Sequence, residues 1–158
     1  LKTCIDSILK LTTYKNYEII IIENNSKEKS IFDYYKILEK NSKIRIVYYK
    51  GKGFNYSKII NFGVKNSEGD FIVQLNNDTE LITPNWIEKM LGFAQREDVG
   101  AVVVKLYYPD ETIQHAGIMV GVNTVAAHMF RGLSKEQQGY FGRENLIQNM
   151  KAILLLMS

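Results

Sequence analysis

Cysteine is nearly absent from this chain. Cys4 is the only one among 158 residues, so no disulfide can close within the chain and no thiolate cluster can hold a metal. That usage fits a reducing compartment. Histidine is almost as scarce. His115 and His128 lie too far from any cysteine or histidine partner for a zinc pattern, and a core or hydrogen-bonding role is their default reading. An excess of one charge is also missing. The formal net charge is +3, too small to argue for nucleic acid, and no nucleic-acid partner is expected. No apolar run approaches the roughly 20 residues that a membrane-spanning helix needs. The closing AILLLMS is far shorter and reads as a buried strand or helix. There is no Gly-x-Ser-x-Gly elbow, so a serine hydrolase has no support. KGKG at 50–53 lacks the spacing of a P-loop, and no third glycine follows to make a dinucleotide fingerprint.

What is present is an alternation. LKTCIDSILKL opens the chain with apolar residues at helical spacing. EIIIIENNS (18–26) is a β-branched run bounded by turn formers, the pattern of a strand covered on both faces. SIFDYYKILEKN (30–41) reads as a helix, KIRIVYY (43–49) as a strand and KGKGFNYS (50–57) as a basic loop. A helix over 57–69, a strand DFIVQL (70–75) and a helix from Thr83 and Pro84 follow, with threonine suited to cap and proline to open the first turn. DVGAVVVKLYY (98–108) reads as a fourth strand, and PDETIQHAGIMVG as a turn leading into a fifth extended segment. This order predicts one α/β domain with a mostly parallel sheet.

In open α/β sheets, ligands bind beyond the carboxyl ends of the strands. Three such ends carry chemistry: Glu23-Asn24-Asn25-Ser26, Lys50-Gly51-Lys52-Gly53 and Asn76-Asn77-Asp78-Thr79. Parallel strands would bring them to one edge. That edge would hold acceptors for a sugar or base, cations beside glycines, and a carboxylate able to hold a hard cation. Each feature alone also has a plainer reading. Asn-Asn-Asp after a strand commonly makes a turn, a carboxylate such as Glu23 is commonly solvated, and KGKG suits a flexible cationic loop. Their convergence at one edge carries the functional expectation.

The stretches EIIIIENNS, FNYSKIINFGVKNSEGDFIVQLNNDTELITPNWIEKML, DVGAVVVKLYYPDETIQHAGIMVG and GYFGR together resemble family 2 glycosyltransferases of the GT-A fold, nearest to bacterial rhamnosyltransferase-like members. The resemblance implies a Rossmann-like α/β sandwich with a mostly parallel central sheet. It implies transfer of a sugar from a nucleoside-diphosphate donor to a glycan or lipid-linked acceptor, with inversion, in cell-surface polysaccharide synthesis. Asn76-Asn77-Asp78 falls where the family has Asp-x-Asp, which implies that Asp78 binds Mg²⁺ or Mn²⁺ and that Asn76 and Asn77 contact the donor. Glu23 matches a nucleoside-contacting position, with Asn25 beside it. Asn61 and Gly63 match an Asn-x-Gly pattern. Ile60 stands where relatives often have arginine, leaving Lys52 or Lys58 for the phosphate. His115 and Gly117, in QHAG, are candidate sugar-pocket residues, with a structural role as the alternative.

The resemblance also implies that residues 1–158 make up one partial domain. The family's first strand would precede Leu1, and the catalytic base, an acidic residue, would lie beyond residue 158. The expected setting is cytoplasmic, at the inner face of the membrane, with peripheral membrane association of the full-length protein. The alternatives are an inactive gene fragment and a metal-dependent nucleotidyltransferase-like α/β protein.

Overall fold

The structure, a computed structural model, describes residues 1–120 and 126–147. These fall into two compact units, Leu1–Lys89 and 90–147.

In the first unit, α1 (Lys2–Leu11) buries Cys4, Ile5 and Ile8, spaced so that they share one helix face. β1 (Ile19–Glu23) pairs in parallel with β2 (Ile44–Tyr48), in register from Ile19 opposite Ile44 to Glu23 opposite Tyr48. Between them, α2 (Lys29–Leu38) buries Tyr35 and Leu38. The crossover thus buries its apolar face with Ile21 and Ile44 of the strands and Cys4, Ile5 and Ile8 of α1 in one core. Because the pair is parallel, both strands finish at the same edge, and the Tyr49 amide donates to the Glu23 carbonyl at 2.9 Å just past it.

α3 (Tyr56–Lys65) starts at Asn55, whose side-chain oxygen accepts the Lys58 amide at 3.0 Å. It buries Ile59 and Gly63. A Cβ on Gly63 would lie 2.4 Å from Ile22 Cδ1, so the helix comes this close to β1 only because position 63 carries no side chain.

The chain from 76 to 88 is tied to α1 and the turn after it. Ser7 Oγ accepts the Leu81 amide at 3.1 Å, and Trp86 Nε1 donates to Thr12 Oγ1 at 3.0 Å. Thr13 donates its amide and its hydroxyl to the Pro84 carbonyl, both at 3.1 Å. α4 (Trp86–Ala94) begins two residues after Pro84, not at it. The first helical hydrogen bond is accepted by Asn85 from the Lys89 amide, while the Pro84 carbonyl accepts from Thr13.

One expected strand, 70–75, does not form, and of another, 98–108, only Leu106–Tyr107 pairs. Residues 70–75 and 98–105 have no ladder partner among the described residues. Phe71, Ile72, Val73 and Leu75 are exposed, as are Val103 and Val104. β-branched composition favours extended backbone, but a strand exists only where a neighbour takes up its N–H and C=O groups, and β1 is paired with β2 alone.

The second unit is built from short antiparallel pairs. β3 (Leu106–Tyr107) pairs with β4 (Ile113–His115), and β5 (Ile118–Val120) with β6 (Ala126–His128). The expected fifth extended segment is thus split into β4 and β5, with Gly117 at φ 115° between them. The turn before β4 is closed by Asp110, whose carboxylate accepts the Thr112 amide at 3.0 Å and hydroxyl at 2.7 Å. Fully buried Ile113 anchors the unit, exchanging 2.8 Å backbone hydrogen bonds with Leu133 and Gly132. A 3₁₀ helix, Tyr140–Asn145, lies near the end of the described chain. Among the described residues no helix is long and apolar enough to cross a membrane.

Candidate functional site

The shared edge of β1 and β2 opens into a pocket of about 440 Å³, lined by Glu23, Asn25, Ser26, Phe32, Tyr48, Tyr49 and Lys50. Its position follows from the parallel pairing, which sets Glu23 beside Tyr48 and sends both following loops outward from the same edge.

Glu23 is only 4% exposed, unusual for a carboxylate at a strand end. It is held by its own chain: the Ser26 amide donates to one oxygen, and the Ser26 hydroxyl and the Tyr35 hydroxyl each donate to the other at 2.7 Å. Burial works to raise its pKa, but these hydrogen bonds outweigh burial and hold the carboxyl below the usual range. The effect on Tyr35 is opposite: burial, then the bond to Glu23, pushes its phenol up. Closing the chain back from Ser26 to Glu23 goes with Asn25 at φ 60°, a left-handed conformation that asparagine tolerates better than most residues. The Asn25 side chain lines the pocket as a result.

The aromatic wall is not among the residues the sequence pattern singles out. Phe32 comes from α2, and Tyr48 and Tyr49 from the end of β2. The signal was available, because a Tyr-Tyr pair ending the strand that runs parallel to EIIIIE must finish beside it. Tyr49 packs edge-on to Phe62 of α3, with centroids 5.5 Å apart. A Cβ on Gly51 would lie 2.2 Å from the Tyr49 ring, so glycine is required where the basic loop folds over it.

The other expected site residues distribute differently. Lys50 lines the pocket, whereas Lys52, Lys58 and Asn61 are exposed and do not. Asn76, Asn77 and Asp78 are exposed at a turn and are likewise not among its lining residues. Their position is set from α1: Cys4 Sγ contacts the Asn76 carbonyl and Thr79 Oγ1, each at 3.7 Å, and Thr79 Oγ1 donates to that carbonyl at 2.7 Å. The Asp78 carboxylate has no hydrogen-bond or ion-pair partner among the described residues. Among those residues no three His, Cys, Asp or Glu side chains gather as a metal-binding group. One free carboxylate flanked by two amides is an all-oxygen donor set. It fits Mg²⁺ or Mn²⁺ where substrate phosphates and water complete the shell.

His115 and Gly117 belong to the second unit. His115 is buried, and its Nδ1 lies 2.8 Å from Nδ1 of His128, although the two are 13 residues apart in sequence. Burial, then the neighbouring imidazole, lowers the His115 pKa.

Comparison with known proteins bears on this arrangement. The chain is 39% identical to the uncharacterized protein y4gI of Sinorhizobium fredii, over 97% of its own length and 17% of that protein's. It is 38% identical to the O-antigen biosynthesis protein RfbC of Myxococcus xanthus, over 82% of its own length and 10% of that protein's. It is 27% identical to the glycosyltransferase GlyG of Streptococcus pneumoniae, over 69% of its own length and 35% of that protein's. The chain therefore spans a minor part of these relatives. No solved structure matches it. The family model for glycosyl transferase family 2 matches residues 1–147, and with that match over nearly its whole length the chain belongs to glycosyl transferase family 2.

Proposed function

We propose that this chain forms the donor-binding part of an enzyme that transfers a sugar from a nucleoside diphosphate to a saccharide or other glycan acceptor, lipid-linked acceptors included, in cell-surface polysaccharide synthesis. The observation that carries the reading is the pocket at the carboxyl ends of the parallel pair, where a buried carboxylate, three aromatic rings and Lys50 converge. Aromatic faces stack a nucleobase, and amides and carboxylates bond its edge or the ribose. Three donors already engage Glu23, and an ionised carboxylate has roughly four acceptor sites, so it offers a nucleoside one remaining site while fixing the pocket wall. Asn25 supplies a freer amide, and Lys50 a cation for phosphate.

In this reading Asp78 would hold Mg²⁺ or Mn²⁺, with the amide oxygens of Asn76 and Asn77 nearby and the diphosphate completing the shell. When bound, such an ion neutralises charge on the leaving diphosphate. Lys52, Lys58 and Asn61 stand by as exposed phosphate or ribose contacts. Transfer inverts the anomeric carbon, and an acidic base other than the donor-side residues named here deprotonates the acceptor hydroxyl. The longer protein completes a GT-A sandwich and works in the cytoplasm at the membrane face.

Calorimetry with a panel of nucleoside diphosphates, with and without Mn²⁺, tests the reading. Binding is expected to need the metal in the wild type, to lose its metal-dependent part in Asp78→Ala and so fall to the metal-free level, and to weaken in Tyr49→Ala and Lys50→Ala. No binding by any nucleotide, or equal affinity in wild type and Asp78→Ala, overturns it. For the full-length enzyme, release of nucleoside diphosphate marks sugar transfer, whereas pyrophosphate marks nucleotidyl transfer.

A further inference from the structure

Seven of the chain's 20 Lys and Arg residues fall within 40–67, and none of its 17 Asp and Glu residues does. A net charge of +3 therefore conceals a strongly basic stretch. The fold divides it between the two ends of the parallel pair. At the amino end, Arg45 is engaged by Glu18 and Glu68. Lys43 donates to the Lys15 carbonyl at 2.8 Å and lies over the Tyr17 ring. At the carboxyl end the lysines are free. Lys50 and Lys52 follow β2, and Lys58 lies in the first turn of α3. The loop after β1 leaves the same edge and brings Lys27 and, opening α2, Lys29. All five are exposed, and no ammonium among them has a hydrogen-bond or ion-pair partner among the described residues. The carboxylates on these segments are Glu28, which is exposed, and Glu23, which is buried and engaged by three donors.

Aromatic rings stand among the lysines. Phe54 is 78% exposed, and Tyr48, which ends β2, and Tyr56, which opens α3, are exposed as well. Gly53, next to Phe54, takes φ 70°, and a Cβ there would meet nothing within 4 Å, so the basic loop turns in open space. A donor diphosphate does not account for the set. Lys50 lines the pocket, but Lys27, Lys29, Lys52, Lys58, Phe54 and Tyr56 do not. Free ammonium groups spread over two loops suit an extended anionic surface. Residue types then separate a lipid surface from a nucleic acid. All five cations are lysine, a point charge suited to headgroup phosphates, and none is arginine, whose planar fork reads bases and phosphates. Phe54 has no polar atom to leave in water, whereas Tyr48 and Tyr56 have the apolar body and polar tip of residues at a membrane interface.

We infer that this edge is the surface by which the protein docks on an anionic phospholipid membrane, with Phe54 inserted and Lys27, Lys29, Lys52 and Lys58 against headgroup phosphates. An inserted ring and a basic patch are the two signals that stable peripheral attachment combines. The inference rests on the sugar-transfer reading for its purpose. The pocket opens at the same edge, so docking there brings the donor alongside a lipid-linked acceptor.

The test is flotation of the 158-residue chain with vesicles of phosphatidylcholine alone and of equal parts phosphatidylcholine and phosphatidylglycerol, with no nucleotide present. The chain is expected to float with the mixed vesicles, to stay behind with the neutral ones, and to be released by salt. Each lysine near such a surface contributes about fivefold to partitioning, so Lys27→Gln combined with Lys29→Gln should weaken binding about 25-fold. Phe54→Ser should weaken it about tenfold, the loss of a partly buried ring. Lys65→Gln, about 10 Å along α3 from Lys58 and beyond a Debye length of about 8 Å, should change it less than about twofold. These four side chains are exposed, so the fold is kept. Phe54→Trp reads insertion directly: lipids brominated on the acyl chain should quench it beyond the quenching of Trp86, the one tryptophan of the wild type. Inorganic pyrophosphate, added at constant ionic strength, should leave the chain on the vesicles. Equal recovery with both vesicle types, or none with either, overturns the inference. So does a loss in Lys65→Gln matching that of the Lys27 and Lys29 pair, no added quenching in Phe54→Trp, or release by pyrophosphate. Retention on polyuridylate by a chain that no vesicle binds would assign the edge to nucleic acid instead. Because flotation needs no nucleotide, a chain that binds a nucleoside diphosphate but no vesicle keeps the donor reading and overturns the docking surface, and the reverse result separates them equally.

Discussion

Ile19–Glu23 reads IIIIE and residues 71–75 read FIVQL. Both are five-residue runs rich in β-branched side chains, and both lead directly into Asn-Asn. One is a paired strand with Ile21 and Glu23 buried, and the other is unpaired with Phe71, Ile72, Val73 and Leu75 all exposed. Composition cannot be the cause. β1 has β2 in register along its full length, with α1 and α2 contributing to the same core. The segment 71–75 has no strand beside it, and the hydrogen bonds that tie the chain to α1 begin only at Asn76. A strand is a property of a pair of segments, so equal propensity gives unequal structure when only one segment has a partner.

The largest effect expected from this contrast comes from truncating matched residues. Ile21→Ala removes buried methylenes from the core and should cost about 2–5 kcal/mol in urea unfolding. Val73→Ala, at a position 42% exposed, should change stability by less than about 0.5 kcal/mol. Similar losses at both positions would mean that 71–75 is buried in solution. The same comparison can be read without mutation, since amides of β1 should exchange slowly and those of 71–75 at nearly the rate of an open chain.

A smaller effect tests how β1 is covered. Gly63→Ala puts a methyl 2.4 Å from Ile22 Cδ1, the flexible end of a side chain. The strand can yield slightly, so a cost of about 1–3 kcal/mol is expected by thermal or urea unfolding. An unchanged midpoint would mean that α3 does not approach β1 so closely.

The carboxyl end of β1 gives a sharper, pH-dependent test. The folded-state pKa of Glu23 is held below its unfolded value of about 4.3. Its contribution to stability is therefore full above that pH and is lost as pH falls through the folded value. Tyr35→Phe removes one of the donors that depress the pKa and should lower stability at neutral pH by about 1 kcal/mol. It should also flatten the acid limb of a stability–pH curve, and Glu23→Gln should flatten it further. If Tyr35→Phe leaves the acid limb unchanged, the hydroxyl does not hold the carboxylate. At the far end of the scale, Asp78→Ala should leave stability within about 0.5 kcal/mol, since that exposed side chain has no partner to lose.

Much of this was legible in advance. The helical spacing of Cys4, Ile5 and Ile8, the strands at IIIIE and IRIVY and the Asn-Asn-Asp turn at an exposed position are local patterns. Local patterns report periodicity and turn chemistry, which depend on near neighbours in the chain. The family was legible for a related reason, since long continuous stretches resemble it and the family match covers residues 1–147. The lining of the candidate pocket was half legible. Glu23 and Asn25 do meet in one pocket, but the choice of Lys50 over Lys52 and the contribution of Phe32, Tyr48 and Tyr49 depend on which loop folds over which strand.

What the sequence determined by itself, then, is the kind of each segment: which runs prefer helix, which prefer extension, where the turns fall, and which residues carry charge or aromatic rings. Tertiary structure decided three things that no window of sequence contains. It decided that IIIIE is a strand and FIVQL is not, because pairing needs a second backbone at hydrogen-bonding distance. It decided that Glu23 is buried and engaged, because Tyr35 reaches it from a helix 12 residues away. It also decided that His115 and His128, 13 residues apart, share one hydrogen bond, because β4 and β6 bring their rings together.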